Sequence, residues 1–343
     1  MKTRHVIHFR PADVLAGVED ESIHLVVTSP PYPMIEMWDE AFASQDAAIK
    51  EALDAEDGKR AFELMHEVLD KTWREVGRVL VPGGFACINI GDATRTIGKH
   101  FQLYPSHARI VSAFADLGFQ SLPEILWRKQ TNAPNKFMGS GMLPAGAYVT
   151  LEHEFILVFR KGGKRDFKGG DAEARRRRSA FFWEERNSWF SDVWDFKGTS
   201  QSLANGAGRD RNAAFPFELA YRLVNMYSIQ EDTVLDPFVG TGTTMLAAMV
   251  SGRKSVGFEI DASLKETIEA RVDQLLPFAK EFIGKRLSAH VDFMKKLVTL
   301  GKEIKYKNDH HGFPVVTSQE TGLVIPLLSE ITRTGDCAFE VTY

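Results

Sequence analysis

Apolar runs of strand length alternate along this chain with stretches whose apolar positions recur at helical spacing. The strand candidates are residues 23–28, 84–90, 119–127, 153–160, 233–236 and 254–259. Helical spacing is clearest over 60–78, where Phe62, Met65, Leu69, Trp73 and Val76 share a face. A second helix is predicted over 106–117, with Ile110, Val111, Phe114 and Leu117 together. Pro216 opens a third, striped by Leu219, Leu223 and Met226, and Thr243 to Val250 begins a fourth. Such stripes are core packing. Alternating strand and helix predicts an α/β fold, a mostly parallel sheet with helices on both faces.

Three stretches break the alternation, and no internal repeat is visible. Residues 33–59 predict an acidic loop with a short helix over the functional end of the sheet. Residues 161–212 are rich in Gly, Arg, Asn and Ser, interleaved with Phe181, Phe182, Trp183, Trp189, Phe190, Trp194 and Phe196, which predict a small satellite core. Residues 301–343 fit neither period. The chain has 343 residues, 44% hydrophobic and 26% charged, enough for the full core of a soluble globular protein. No apolar stretch reaches the ~18 residues of a membrane span, and the N-terminus lacks a secretory core, so a cytoplasmic protein is expected. With only Cys87 and Cys337, neither a disulfide framework nor a metal cluster is expected.

The net charge of −4 is unevenly distributed. Residues 36–70 carry eleven acids and three bases, read as a solvated face. Residues 160–178 carry nine bases against three acids, among them the consecutive Arg175, Arg176, Arg177 and Arg178. Phosphate binding needs local positive charge rather than a basic average, so this run is the candidate DNA contact.

Two strand-end loops carry the candidate chemistry. Ser29-Pro30-Pro31-Tyr32 follows the apolar run ending at Thr28, and Asp236-Pro237-Phe238-Val239-Gly240-Thr241-Gly242-Thr243 follows Thr233-Val234-Leu235. The exocyclic amino nitrogen of cytosine or adenine is a poor nucleophile, because its lone pair is delocalised into the ring. The Ser29 hydroxyl and the Pro30 carbonyl can accept its two hydrogens and draw it toward a tetrahedral geometry, while Pro30 and Pro31 stiffen the loop. Tyr32 offers a face on which an extruded base can stack. In the second loop, Gly240 and Gly242 allow close backbone approach to a ligand, and Thr243 leads into a helix N-terminus suited to a carboxylate. Glu259 ends a strand twenty-three residues beyond Asp236, where α/β nucleoside-binding folds place an acid on the ribose hydroxyls. A Walker P-loop is excluded, since no Gly-Lys-Ser/Thr follows. Covalent attack by cysteine on C6 of cytosine is disfavoured, because neither cysteine follows a proline.

Together these motifs resemble the S-adenosylmethionine-dependent DNA amino-methyltransferases, which methylate cytosine N4 or adenine N6. The order, catalytic motif before cofactor motif, resembles their β group. The resemblance covers roughly residues 5–275 and implies a Rossmann-like methyltransferase sheet. It directs Asp13 at the cofactor's adenine, and Phe215 and Pro216 at its methionine part. It assigns the cofactor loop to Asp236, Pro237, Phe238, Gly240, Gly242 and Thr243, and the catalytic role to Ser29, Pro30, Pro31 and Tyr32. It reads Leu80–Gly84 and Glu152–Leu157 as framework.

The implied organisation is a catalytic domain over 1–160 and 213–285, a target-recognition insert over 161–212, and an extension over 286–343 of open role. Arg186, Asn187, Gln201, Arg209 and Arg211 are further candidates for base or phosphate contacts in the insert. The expected activity is site-specific methylation of double-stranded DNA in a restriction-modification setting, with a cognate endonuclease as possible partner and no membrane. Ser29, where adenine enzymes usually carry Asp or Asn, favours cytosine N4, and adenine N6 is the alternative. Methylation of RNA or of a protein glutamine is opposed by the motif order, and loss of activity by the intact motifs.

Overall fold

The computed structural model describes residues 1–129, 138–196 and 215–343. Its strands in chain order begin with β1 (Lys2–Phe9), β2 (Ile23–Thr28), β3 (Leu80–Ile90), β4 (Ala93–Ile97), β5 (His100–Tyr104) and β6 (Phe119–Arg128). They continue with β7 (Met138–Gly139), β8 (Ala147–Tyr148), β9 (His153–Lys161), β10 (Val193–Asp195) and β11 (Thr233–Asp236). The last are β12 (Lys254–Glu259), β13 (Tyr306–Lys307), β14 (Pro314–Val315), β15 (Glu330–Gly335) and β16 (Ala338–Thr342). The helices are α1 (Asp39–Ala43), α2 (Ala47–Asp54), α3 (Gly58–Val79), α4 (Ser106–Asp116) and α5 (Gly170–Arg178). There follow α6 (Trp183–Trp189), α7 (Phe217–Tyr227), α8 (Thr243–Val250), α9 (Lys265–Asp273) and α10 (Leu275–Thr299).

Ten strands form one sheet in the order β10-β6-β9-β3-β2-β11-β12-β1-β16-β15. From β3 to β1 the neighbours are parallel, with Val26 beside both Ala86 and Leu235. β9 and β16 run against them. The central strands are buried on both faces, which is why β2 reads as a nearly unbroken apolar run. Two cores cover the faces. One gathers α3, α4 and α2 around Trp73, Phe114 and Met65, and the other gathers α7, α8, α9 and α10 around Tyr221, Leu246 and Ile268. The predicted alternation is therefore observed, and so are the helix faces except at Leu117, which caps α4 and is exposed. α3 starts where the Asp57 carboxylate accepts from the Arg60 amide at 3.0 Å, a side-chain N-cap.

Parallel strands put their C-terminal ends on one side. β2, β3, β11, β12 and β1 all finish there, and the connections β4–β5 and β7–β8 lie at the same end. The other end holds the entries to β2 and β11 and the exit of β9.

Three features of the organisation differ from, or go beyond, the sequence reading. β1 lies beside β12, so the first strand belongs to the half of the sheet that carries the glycine-rich loop. The described part of the expected 161–212 insert, residues 161–196, packs onto the sheet and the main core. β10 extends the sheet beside β6, and Phe182, Trp189 and Trp194 are buried in the main core rather than in a satellite. Residues 197–212, with Gln201, Arg209 and Arg211, lie outside the described residues. The chain after 285 is equally integral: α10 runs through that boundary, and β16 pairs antiparallel with β1. Arg286 fixes α10 to α6 through Glu185, at 2.5 and 2.7 Å, and donates to Tyr221 at 2.9 Å. His290 stacks on Phe182 at 3.8 Å. No period announces this segment, because its apolar residues Leu323, Ile325, Phe339 and Val341 reach the main core through long-range contacts.

Candidate functional site

The two motif loops leave adjacent parallel strands and are tied at their roots. Thr28, the last residue of β2, donates its hydroxyl to Asp236, the last residue of β11, at 2.6 Å. The same Asp236 oxygen accepts from the Phe238 amide at 3.1 Å, fixing the first turn of the glycine-rich loop. Both side chains are buried. Burial pushes the Asp236 carboxyl up to about 6, against hydrogen bonds from Thr28, Thr244 and the Phe238 amide that favour its ionised form.

The loop beyond Asp236 turns through left-handed backbone at Gly240 (φ 54°) and Gly242 (φ 84°), the latter being the N-cap of α8. Nothing lies within 4 Å of where a Gly240 Cβ would stand, so the loop backbone is open to a ligand. Arg271 of α9 braces the loop, donating to the Thr241 carbonyl at 2.7 Å and to the Thr243 hydroxyl at 3.2 Å. Glu259 closes the arrangement. Its carboxylate accepts from the Gly240 amide at 2.7 Å and from the Asp261 amide at 2.8 Å. Burial raises its pKa, opposed by those amides. Two backbone bonds leave lone pairs on each oxygen, so the carboxylate is aimed and still able to accept from a diol.

These groups share one cavity of about 450 Å³. Its walls include Asp13, Ser29, Pro30, Pro31, Phe215, Pro237, Phe238, Gly240, Thr243 and Glu259. Its polar groups are few and its lining largely apolar, as expected for a nucleoside-sized ligand. Asp236 and Gly242 shape the loop from behind, and Pro216 caps α7. Asp13 is exposed and accepts from the Val14 amide at 2.9 Å, a turn geometry that leaves its other oxygen free for a ligand. Several lining residues are not legible as such in the sequence: Arg10, Trp38 and Phe42, Leu69 and Thr72 of α3, and Leu264. Trp38 and Phe42 come from the acidic stretch, whose charge masks two apolar residues folded inward by α1.

Tyr32 faces away from this cavity, toward β3 and β9. Its ring lies beside Gly91, where a Cβ would stand 3.0 Å from it. Its hydroxyl accepts from Ser29 at 3.1 Å and donates to Glu154 of β9 at 2.9 Å. Asn89 of β3 donates to both the Tyr32 oxygen, at 2.9 Å, and Glu154, at 2.7 Å. Ser29 thus stands between two compartments, the cavity on one side and the Tyr32–Asn89–Glu154 cluster on the other. The sequence places Glu154 only in framework. Its one signal there is an acid at the start of an otherwise apolar strand.

A family model described as DNA methylase, covering N6 and N4 enzymes, matches residues 23–270. The chain belongs to this DNA methylase family. It is 55% identical over 322 residues to the type II methyltransferase M.MthZI of Methanothermobacter thermautotrophicus, covering 93% of this chain and 89% of that one. It is 50% identical to the type II methyltransferase M.MjaI of Methanocaldococcus jannaschii, over 79% of this chain and 91% of that one. Among solved structures, a DNA modification methylase of Thermus thermophilus complexed with S-adenosyl-L-methionine matches with a TM-score of 0.59 and 33% identity, over 80% of this chain and 96% of that one. The cytosine-N4-specific PvuII DNA methyltransferase shares the fold, with a TM-score of 0.52 and 19% identity over 77% of this chain and 85% of that one. The sheet is thus the Rossmann-like sheet of the DNA methylases. No helix among the described residues is long and apolar enough to cross a membrane.

The structure does not bring the arginine run to the cavity. Arg175–Arg178 close α5, which follows β9 at the opposite end of the sheet. Arg175 pairs with Asp171 at 2.8 Å, Arg177 with Glu173 at 2.9 Å, and Arg178 with Glu231, at the entry to β11, at 3.3 Å. Arg176 lies over the Phe167 ring. The acids four residues earlier on the same helix supply counter-charge to two of the four. Replacing all four by glutamine should leave the salt dependence of DNA binding unchanged, whereas each lost phosphate contact would lower the log–log slope by ~0.9.

Asp236 gives a pH signature. In the unfolded chain its carboxyl ionises near the ordinary aspartate value, and in the folded protein only near 6. Between those values the native state holds the extra proton, so this group's contribution to stability falls as pH rises. Asp236→Asn removes that titration. Its stability relative to wild type should therefore rise by ~2 kcal/mol between about pH 4 and pH 6.5, at 1.36 kcal/mol per unit. Denaturant melts of both proteins across that range measure the difference.

Proposed function

We propose that this protein is the modification methyltransferase of a type II restriction-modification system, methylating cytosine N4 within a specific duplex DNA site. The observation that carries this reading is the placement of Ser29 and Pro30 in the wall of the cavity that also holds Glu259 and Gly240. A nucleoside cofactor and a target amino group would meet there without either loop moving. S-adenosylmethionine fits the residues present, with Glu259 on the ribose hydroxyls, Asp13 toward the adenine, Phe215 along the methionine part and the α8 N-terminus at its carboxylate. When bound it supplies an electrophilic methyl group on a sulfonium centre.

The base must leave the helix to reach Ser29. Once there, the Ser29 hydroxyl and Pro30 carbonyl accept the amino hydrogens, which frees the nitrogen lone pair for in-line attack. A neutral hydroxyl at this position favours cytosine over adenine as the acceptor. DNA then approaches the end of the sheet where β2 and β11 finish and where the β4–β5 and β7–β8 hairpins project. Those hairpins carry exposed Phe101, Leu103, Met142 and Leu143, apolar groups suited to a base stack opened by flipping. A cognate endonuclease recognising the same site is the expected partner in the cell.

Sequencing DNA from cells that express the protein, by a method that separates N4-methylcytosine from N6-methyladenine, should show N4-methylcytosine in one sequence context. N6-methyladenine in that context would replace the cytosine assignment by the adenine one. For the cofactor site, Glu259→Ala should weaken S-adenosylmethionine binding by ~1.5–3 kcal/mol, the cost of losing a charge-assisted hydrogen bond. Titration calorimetry on the folded variant reads it, and unchanged affinity would remove Glu259 from the ribose.

A further inference from the structure

Methylating an amino group leaves a proton to be disposed of, and Ser29 cannot keep it. The nitrogen gains the methyl group as the carbon–sulfur bond breaks onto sulfur, and the neutral product forms only when one amino hydrogen departs. The Ser29 hydroxyl already carries its own proton. Any proton it accepts must be matched by one it passes on.

From Ser29 onward the structure supplies a path with the right direction. Ser29 Oγ donates to Tyr32 Oη at 3.1 Å, and Tyr32 Oη donates to Glu154 Oε2 at 2.9 Å. The end of the path is a carboxylate, held in place from two sides. Asn89, 2% exposed, donates to Oε2 at 2.7 Å, and Lys129 donates to Oε1 at 3.0 Å. Glu154 keeps 12% of its side chain exposed, so a proton received there has an exit to solvent. Tyr32 stays a neutral phenol: burial, and then the charge of Glu154, raise its pKa well above the usual value. A phenol that keeps its proton can accept from Ser29 and donate to Glu154 at once. Gly91 leaves the ring room to lie along this line, since a Cβ there would press on it at 3.0 Å.

We propose that Glu154 is the terminal proton acceptor of methyl transfer, acting through Tyr32 and Ser29, with Asn89 as the residue that positions it. The amino proton moves to Ser29 Oγ, the Ser29 proton to Tyr32 Oη, and the Tyr32 proton to Glu154, which ends as a neutral acid and releases its proton to water. Ser29 and Tyr32 end as they began. Glu154 never touches the base; its charge compensates the positive charge developing on the nitrogen. The proposal rests on the reading that Ser29 holds the target amino group, and it applies equally to cytosine N4 and adenine N6.

Glu154→Gln keeps the shape and an oxygen for Tyr32 but cannot take a proton. In single-turnover reactions on a duplex carrying the mapped site, it should be slower by about 100-fold, within the range for a lost acid–base group. Cofactor affinity by calorimetry, and flipping read from 2-aminopurine fluorescence at the target position, should match wild type. Tyr32→Phe breaks the same chain one step earlier, so adding Glu154→Gln to Tyr32→Phe should slow it no further. Glu154→Asp keeps the acid on a shorter stem and should be faster than Glu154→Gln, even if it folds less stably. The proposal falls if Glu154→Gln keeps the wild-type rate, if its loss of rate is matched by loss of flipping, if the two substitutions multiply, or if Asp is the slower of the two acid-site variants. Ser29→Ala separates the two levels: an undiminished rate there overturns the role of Ser29 itself.

Discussion

A buried hydrogen bond joins the roots of the two motif loops. Thr28 and Asp236 are separated by 208 positions in the chain, yet they face each other at 2.6 Å at the ends of neighbouring parallel strands. The catalytic loop starts one residue after Thr28, and the glycine-rich loop starts at Asp236. Anything that shifts β2 against β11 would move the Ser29–Tyr32 loop relative to the glycine-rich loop. The bond is buried, so it does not compete with water, and the same carboxylate also fixes the Phe238 amide. The energetic penalty is visible in the raised Asp236 pKa. A carboxylate is kept where the sheet would bury an apolar residue more favourably, because only an acceptor can hold both loops.

This arrangement explains why a parallel sheet suits the task. Helices return each chain crossing to the same end, so loops distant in sequence emerge side by side. At the β2–β11 junction the covering helices pass to opposite faces: α3 packs on one side and α7 with α8 on the other. The crevice left between them is the cavity. α3 contributes Leu69 and Thr72 to its wall, and α8 contributes Thr243, so each face of the sheet supplies part of the site.

The central sheet and the two motif loops are legible in the sequence because their signals are local. β2, β11 and β12 fall on their predicted bounds, since a short apolar run bordered by loop residues specifies a buried strand without reference to the rest of the chain. The edges are not legible. β10, β15 and β16 are short or half-polar, and they are strands because β6 and β1 offer edges to β10 and β16, and β16 in turn to β15. The arginine run is only partly legible for a related reason. Its charge suggests an outside anion, whereas Asp171, Glu173 and Glu231 already provide carboxylates, one of them from another element. Glu154 shows the same limit inside the site. A single acid in an apolar strand has no motif, and its meaning comes from Tyr32 and Asn89, which the fold brings from elsewhere in the sheet.

Under the role proposed for Ser29, that second cluster gains a physical purpose. A carboxylate in the first position of the loop could itself balance charge developing on the amino nitrogen. A hydroxyl can align the nitrogen but has no charge to offer. The nearest fixed negative charge along the hydrogen-bonded chain is then Glu154, connected through one phenol, and Lys129 and Asn89 hold its two oxygens so that the third direction points at Tyr32. Tyr32 ties the Ser29 loop to β3 and β9 through its hydroxyl, while its ring lies beside Gly91.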